Sequence, residues 1–273
     1  MMERERQQTD SLVVNGYHQV EVGLPSPSDC ARMLLSAAGV EASSPEPQGV
    51  REVVDLCGRL PLALGIAGRL AESLGLDGSL KEDWSGMIGV LKEELLESHS
   101  GGGTEEGMVR ASLRGLKGSA QEQANVKALF KLFALVPEDT HCPLEVLLLM
   151  MKAVHEGTGV TMMHLRKWLR ILQNRSLVLG TIDRPSVHDL VKDFAVAQHK
   201  SEELRESHRR IVEAFREARP ADSFGRRKFD RARVSDAVCA YVCTEVSYHL
   251  TNGWDSSKET AWLEDVPQVG QKH

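Results

Sequence analysis

Apolar positions along this chain recur almost everywhere with a helical period, and several of the starts carry their own capping chemistry. Ser26-Pro27-Ser28-Asp29 reads as an N-cap, a proline at the first helical position and an early acid, followed by Cys30, Met33, Leu34, Ala37 and Ala38 on one stripe that Gly39 closes. Val50, Val53, Val54 and Cys57 repeat the pattern, with Gly58 at the C-terminal cap. A third helix is predicted from Pro61, carrying Leu64, Ala67, Ala71 and Leu74, with Gly65 and Gly68 open to a neighbouring backbone. Trp84, Ile88, Leu91 and Leu95 give a fourth stripe.

Ser98-His99-Ser100-Gly101-Gly102-Gly103-Thr104 then breaks the pattern, because glycine and serine without apolar neighbours cannot repay the entropy of ordering. Beyond it come a short helix with Val109, Leu113 and Leu116, and a helix capped by Ser119-Ala120-Gln121-Glu122 with Val126, Leu129, Phe130 and Phe133 inward. A helix from Pro143 to Glu156-Gly157 and another with Leu165, Trp168, Leu169 and Leu172 follow. Ser176–Ile182 and Asp183–Val187 switch to a strand-like pattern around a turn, and a last helix runs from Asp189 to about His199 with Leu190, Val191, Phe194 and Ala195 inward. Helices followed by a hairpin predict a winged helix. The remainder is helical again, through Leu204, Ile211, Val212 and Phe215, then Val238, Val242, Val246 and Leu250.

The expected fold class is therefore mainly α: a helical domain, a winged-helix domain and a helical C-terminal segment. Its divisions fall at residues 1–24, 25–97, the linker 98–104, 105–200, and a helical neck and tail at 201–273. In the first 24 residues, Ser11–Val14 and Gln19–Val22 read as edge strands, too few to form a sheet alone and expected to be the tail of a larger α/β domain.

Composition narrows the classes of function. Apolar residues make up 41% and aromatics only 5%, so the cores are aliphatic and the chain is globular. The 39 acidic against 33 basic residues leave a net charge of −6, which argues against nucleic acid as the main partner. Residues 205–233 go the other way, with ten basic against five acidic positions. The odd count of five cysteines, the absence of an apolar leader after Met1 and the short Val146–Met151 apolar run lead us to expect a cytoplasmic protein with reduced thiols and no membrane partner. Cys239 and Cys243, four apart with His249 nearby, read as core cysteines rather than metal ligands, and no metal site is expected.

No G-x-x-x-x-G-K-[ST] loop occurs, and no apolar strand ends in paired acids for magnesium, so no enzyme activity is expected of this chain by itself. Two short strings say more: Cys57-Gly58-Arg59-Leu60-Pro61-Leu62-Ala63-Leu64, and Val187-His188-Asp189-Leu190-Val191-Lys192-Asp193-Phe194-Ala195. The first resembles the C-x-G-L-P-L-A-L motif, and the second the M-H-D motif, of the NB-ARC family of STAND signalling ATPases. Leu132–Asp139 is similar to the turn of that family's winged helix, and Val20–Pro27 to its junction between nucleotide-binding sheet and first helical domain. The four arrive in the family's order over about residues 10–200. Arg59 stands where the family has glycine, and Val187 where it has methionine.

The resemblance implies a regulatory half of a nucleotide-dependent switch in defence- or cell-death-type signalling, with residues 1–24 the remnant of a nucleotide-binding α/β domain. It implies ADP or ATP as ligand only together with a P-loop domain, in cis or in trans, and as partners other copies of the parent protein and a downstream effector. Pro61 matches the proline that packs beside the nucleoside of ADP, and His188 the histidine that donates to the β-phosphate, with Asp189 expected to cap the following helix. Two other readings stand beside it. One is a DNA-binding winged helix using His164, Arg166, Lys167, Arg170 and Arg175; the other is a helical interaction module whose basic 205–233 segment docks an acidic partner.

Overall fold

The structure, a computed structural model, describes residues 13–14, 17–18, 22–40, 46–76, 84–98, 103–155, 159–218 and 234–254. It is mainly helical, with eleven α-helices and two two-residue hairpins among the described residues. At the N-terminus β1 (Val13–Val14) pairs antiparallel with β2 (Tyr17–His18), so the second strand falls two residues before the expected Gln19–Val22. Residues 19–21 lie outside the described residues, and Val22 is in neither strand.

The first helical unit comprises α1 (Pro27–Ala37), α2 (Val50–Leu56), α3 (Pro61–Leu74) and α4 (Ser85–Ser98). Ser26 caps α1 by accepting from the Asp29 N–H at 3.1 Å, as its position predicts. The buried stripe of α1 is Cys30, Ala31, Leu34 and Leu35. Met33, expected inward, is 38% exposed, because α2 and α3 cover the side of α1 turned away from it. Closest approach falls at Gly68 of α3, where a Cβ would lie 2.5 Å from both the Ala37 Cβ and the Leu34 carbonyl oxygen. Gly65 faces open space and needs no such explanation. Leu74, the last residue of α3, is also exposed rather than inward.

Next comes α5 (Thr104–Arg114), which packs on both α3 and α4; of the expected linker, residues 99–102 lie outside the described residues. Gly107 of α5 leaves room for Leu95 of α4, where a Cβ would sit 2.8 Å from the leucine side chain.

The second set is α6 (Ala120–Leu132), a 3-10 turn at Phe133–Leu135, α7 (Leu144–Val154), α8 (Met162–Gln173), the hairpin β3 (Leu179–Gly180) with β4 (Pro185–Ser186), and α9 (Asp189–Ala197). Gly180 has φ +74, and a Cβ there would meet the Arg184 carbonyl oxygen at 2.6 Å, so the hairpin requires glycine. Leu165, Trp168, Leu169 and Leu172 of α8 are all buried, as the period predicts. On α9, Val191, Phe194 and Ala195 are buried while Leu190, in the first turn ahead of the packed residues, is 46% exposed.

Finally α10 (Ser201–Glu217) and α11 (Asp236–Gly253) form a helical pair against α7. No helix among the described residues is long and apolar enough to cross a membrane.

Candidate functional site

Pro61 owes its position to a tight exit from α2. Cys57 caps that helix, and the chain then places two consecutive residues in the left-handed region, Gly58 at φ +59 and Arg59 at φ +58. The Arg59 N–H donates to the Val54 carbonyl at 3.3 Å and the Leu60 N–H to that of Cys57 at 3.1 Å, closing the turn before α3 begins. An L side chain in this region is disfavoured by about 1–2 kcal/mol, so position 59 is one where glycine is at ease. Pro61 is the first residue of α3, where its missing N–H costs nothing, and its ring is exposed. Cys57 beside it is fully buried, and desolvation pushes its thiol up to about 12, so it packs as an apolar group rather than a nucleophile.

His188 is held by a different device. It is itself the N-cap of α9: its Nδ1 accepts from the Leu190 N–H at 3.3 Å, while its backbone carbonyl accepts from Val191 and Lys192, both at 2.9 Å. Asp189, expected to be the cap, is instead the first residue of the helix, placing a carboxylate in the positive first turn. With Nδ1 accepting, the proton of the neutral ring sits on Nε2. The imidazole is exposed and stands at a helix N-terminus.

Pro61 begins α3 and His188 caps α9, two helices that both pack on α5. The donors this site can offer a phosphate are the one ring N–H and the Asp189 N–H, since the Leu190, Val191 and Lys192 N–H groups already bond to His188. Pro61 fits an apolar or aromatic surface.

The residues of the DNA-reading alternative are largely committed elsewhere. Arg166 pairs with Asp183 at 2.6 Å, and Lys167 with Glu122 at 2.6 Å. His164 completes a capping box with Thr161 at the start of α8. Arg175 is buried and donates to the carbonyls of Ser112 at 2.7 Å and Gly115 at 2.5 Å, fastening the C-terminus of α5 to the end of α8. In the basic segment, Arg205, Arg209, Arg210 and Arg216 of α10 pair with Glu202, Glu206 and Glu213, and residues 219–233 lie outside the described residues. Cys239 is buried as expected, but Cys243 is exposed, because it lies on the side of α11 away from α10 and α7. No group of metal-ligating side chains occurs among the described residues.

Sequence reasoning missed one buried polar cluster. His208 of α10 and His249 of α11 meet Nδ1 to Nδ1 at 2.9 Å, and the Tyr241 hydroxyl lies 3.2 Å from His249 Nε2. Two Nδ1 atoms in contact need one donor and one acceptor, so at least one ring lacks its Nδ1 proton. Desolvation, then neighbouring Lys192, lowers His208 to about 4; desolvation, then His208, lowers His249 to about 3. The ammonium of Lys192 lies 5.7 Å from the Tyr248 ring centre and 3.6 Å from Glu138, tying α9 to α11 and to the turn after α6. The missed signal was periodicity: His249 falls 7 and 11 positions after Val242 and Val238, and His208 falls 3 and 4 before Ile211 and Val212, on the apolar stripes.

No family model matches this chain, and neither does any of the curated proteins searched.

Proposed function

We propose that this chain is the regulatory half of an NB-ARC-type signalling switch: an ARC1-like helical unit followed by a winged helix, stabilised in a closed state by ADP when a P-loop domain joins it in cis or in trans. The observation that carries the reading is His188, an exposed imidazole at the N-cap of α9 whose Nδ1 accepts from the Leu190 N–H, leaving Nε2–H as its donor. That is a phosphate donor preset in tautomer. Two features support the assignment of the motifs. Arg59 adopts a backbone suited to glycine at the position where the family's pattern has one, and the order α6, α7, α8, hairpin, α9 is compatible with a winged helix.

In this reading Pro61 packs against the nucleoside and His188 donates to the β-phosphate, while the P-loop domain holds the remaining phosphates and performs any hydrolysis. A nucleotide shifts such a switch only by its differential affinity for the two states, and an N–H that reaches the β-phosphate in one state alone supplies such a difference. The signalling class, the self-association of the parent and the downstream effector follow from the resemblance and not from this site.

The energetics set a limit. One charge-assisted hydrogen bond contributes about 1.5–3 kcal/mol and packing on one exposed ring a similar amount, barely the roughly 4 kcal/mol of a millimolar site before association costs are subtracted. Titration calorimetry on the chain alone is expected to give an ADP dissociation constant no tighter than about 1 mM, weakened further in His188→Ala. Micromolar binding, or binding indifferent to His188→Ala, contradicts the assignment.

A further inference from the structure

A cleft of about 440 Å³ lies between α4–α5 on one side and α6 and α9 on the other, at the seam of the two helical sets. Its size is that of a small-ligand site. Phe130 and Phe194, with ring centres 6.1 Å apart and planes tilted by 52°, make one wall apolar. Four cations border it: Arg110, Arg114, Lys127 and Lys131.

These cations are not equivalent. Arg110 and Arg114 converge on the buried Glu94, at 3.7 and 3.1 Å, and are further balanced by Glu106 and Glu93. Lys127 and Lys131 stand one turn apart on α6, and among the described residues no carboxylate lies within ion-pair distance of either. Glu94 also lines the cleft, held by Arg110 and Arg114, and Lys131 acts from a distance on Glu203, so the cleft sets two ammonium groups without a direct ion-pair partner among the described residues beside an aromatic wall. Both lysines also border a neighbouring cavity of about 330 Å³, but no phenylalanine lines that one.

From this juxtaposition we propose that the cleft binds a small organic anion, a phosphate or carboxylate carrying a single ring or short apolar chain. Its charge rests on Lys127 and Lys131, and its apolar part lies against Phe130 and Phe194. A bare inorganic anion leaves the phenyl wall unused, and a neutral aromatic leaves the ammonium groups unpaired. Because its walls come from both helical sets, a bound ligand also fastens the seam. Neither Pro61 nor His188 borders the cleft, so the inference stands apart from the nucleotide reading.

The test is titration calorimetry on the full chain with phenyl phosphate, benzoate, inorganic phosphate and benzyl alcohol. Phenyl phosphate or benzoate is expected to bind roughly ten- to a hundredfold more tightly than inorganic phosphate or benzyl alcohol, from burial of one ring alongside the charge. Whichever of the two binds more tightly identifies the acid group. Lys127→Ala/Lys131→Ala should lose at least tenfold with circular dichroism unchanged, whereas Lys167→Ala, whose ammonium pairs with Glu122 outside the cleft, should not. The proposal is overturned if inorganic phosphate binds as well as both aryl acids, if the double variant keeps its affinity, if Lys167→Ala loses as much, or if no probe binds at 10 mM.

Discussion

Acid should weaken this protein through one pair of rings. His208 is 3% exposed and His249 fully buried, and both are held neutral in the folded chain, His208 with its value lowered from 6.5 to about 4. In the unfolded chain the same imidazoles take up protons near the ordinary value. Above about pH 6.5 neither state is protonated there and the pair costs nothing. As the pH falls from 6.5 towards 4, the unfolded state binds protons that the folded state refuses, and stability drops by about 1.4 kcal/mol per pH unit per imidazole. His208 alone then accounts for a loss of about 3 kcal/mol between pH 6.5 and 4. His249 adds to it, but the two touch and titrate as a pair, so the single-site figure is the one to test. Urea unfolding at pH 7.5, 6.0, 5.0 and 4.5 gives the slope, and His208→Leu should reduce it by about one proton. The variant is also expected to start about 1–3 kcal/mol lower at pH 7.5, since it removes the bond to a buried His249. Asp29 and Glu203, held below their ordinary values by Ser26 and by His199, also lose stability in acid, but they are common to both proteins and cancel in the difference. Equal slopes in the two proteins would refute the argument.

Other expectations concern single positions. Arg59→Gly should raise stability by about 0.5–1 kcal/mol, read as a higher denaturant midpoint with unchanged slope, because it relieves a left-handed side chain. Gly68→Val should lower stability by about 2 kcal/mol or more, since its Cβ would meet the Leu34 carbonyl at 2.5 Å and α1 has to shift. Of the five cysteines, Cys243 should react rapidly with a thiol reagent in the native chain, whereas Cys57 and Cys142, whose thiols burial pushes up, should react only on unfolding. A gel shift with random duplex DNA at 50 and 200 mM salt should show no salt-sensitive complex; a steeply salt-dependent one revives the DNA-binding alternative.

Local signals were legible in the sequence wherever a helix announces itself. The Ser26 and Ser119 caps, the proline at the first turn of α3 and the apolar stripes of α2 and α8 all depend on residues within a few positions of one another. What failed was the centring of stripes. Met33 and Leu190 satisfy the helical period, but which edge of a stripe is covered depends on a neighbour distant in sequence. The two capping chemistries at positions 188 and 189 were also confused. An aspartate is the commoner cap, yet the imidazole occupies the extended position and accepts the bond. The His208–His249 bond joins residues 41 apart, and the Arg175 clamp residues about 60 apart, so their polar character suggested surface until tertiary structure supplied partners. For the candidate site, sequence placed Pro61 and His188 each at a helix start, which the fold reproduces. It gave no access to the tautomer that makes His188 a donor.

The most direct measurement on the central claim is the ¹⁵N spectrum of the His188 ring during titration with ADP. With His188 as the β-phosphate donor, its Nε2–H signal, protonated before ligand is added, is expected to shift progressively over millimolar ADP together with the Pro61 ring protons, and AMP, lacking the β-phosphate, to move Pro61 but not His188. A ring protonated on Nδ1 in the free chain, or an ADP titration that leaves Nε2 unmoved while other sites saturate, contradicts it.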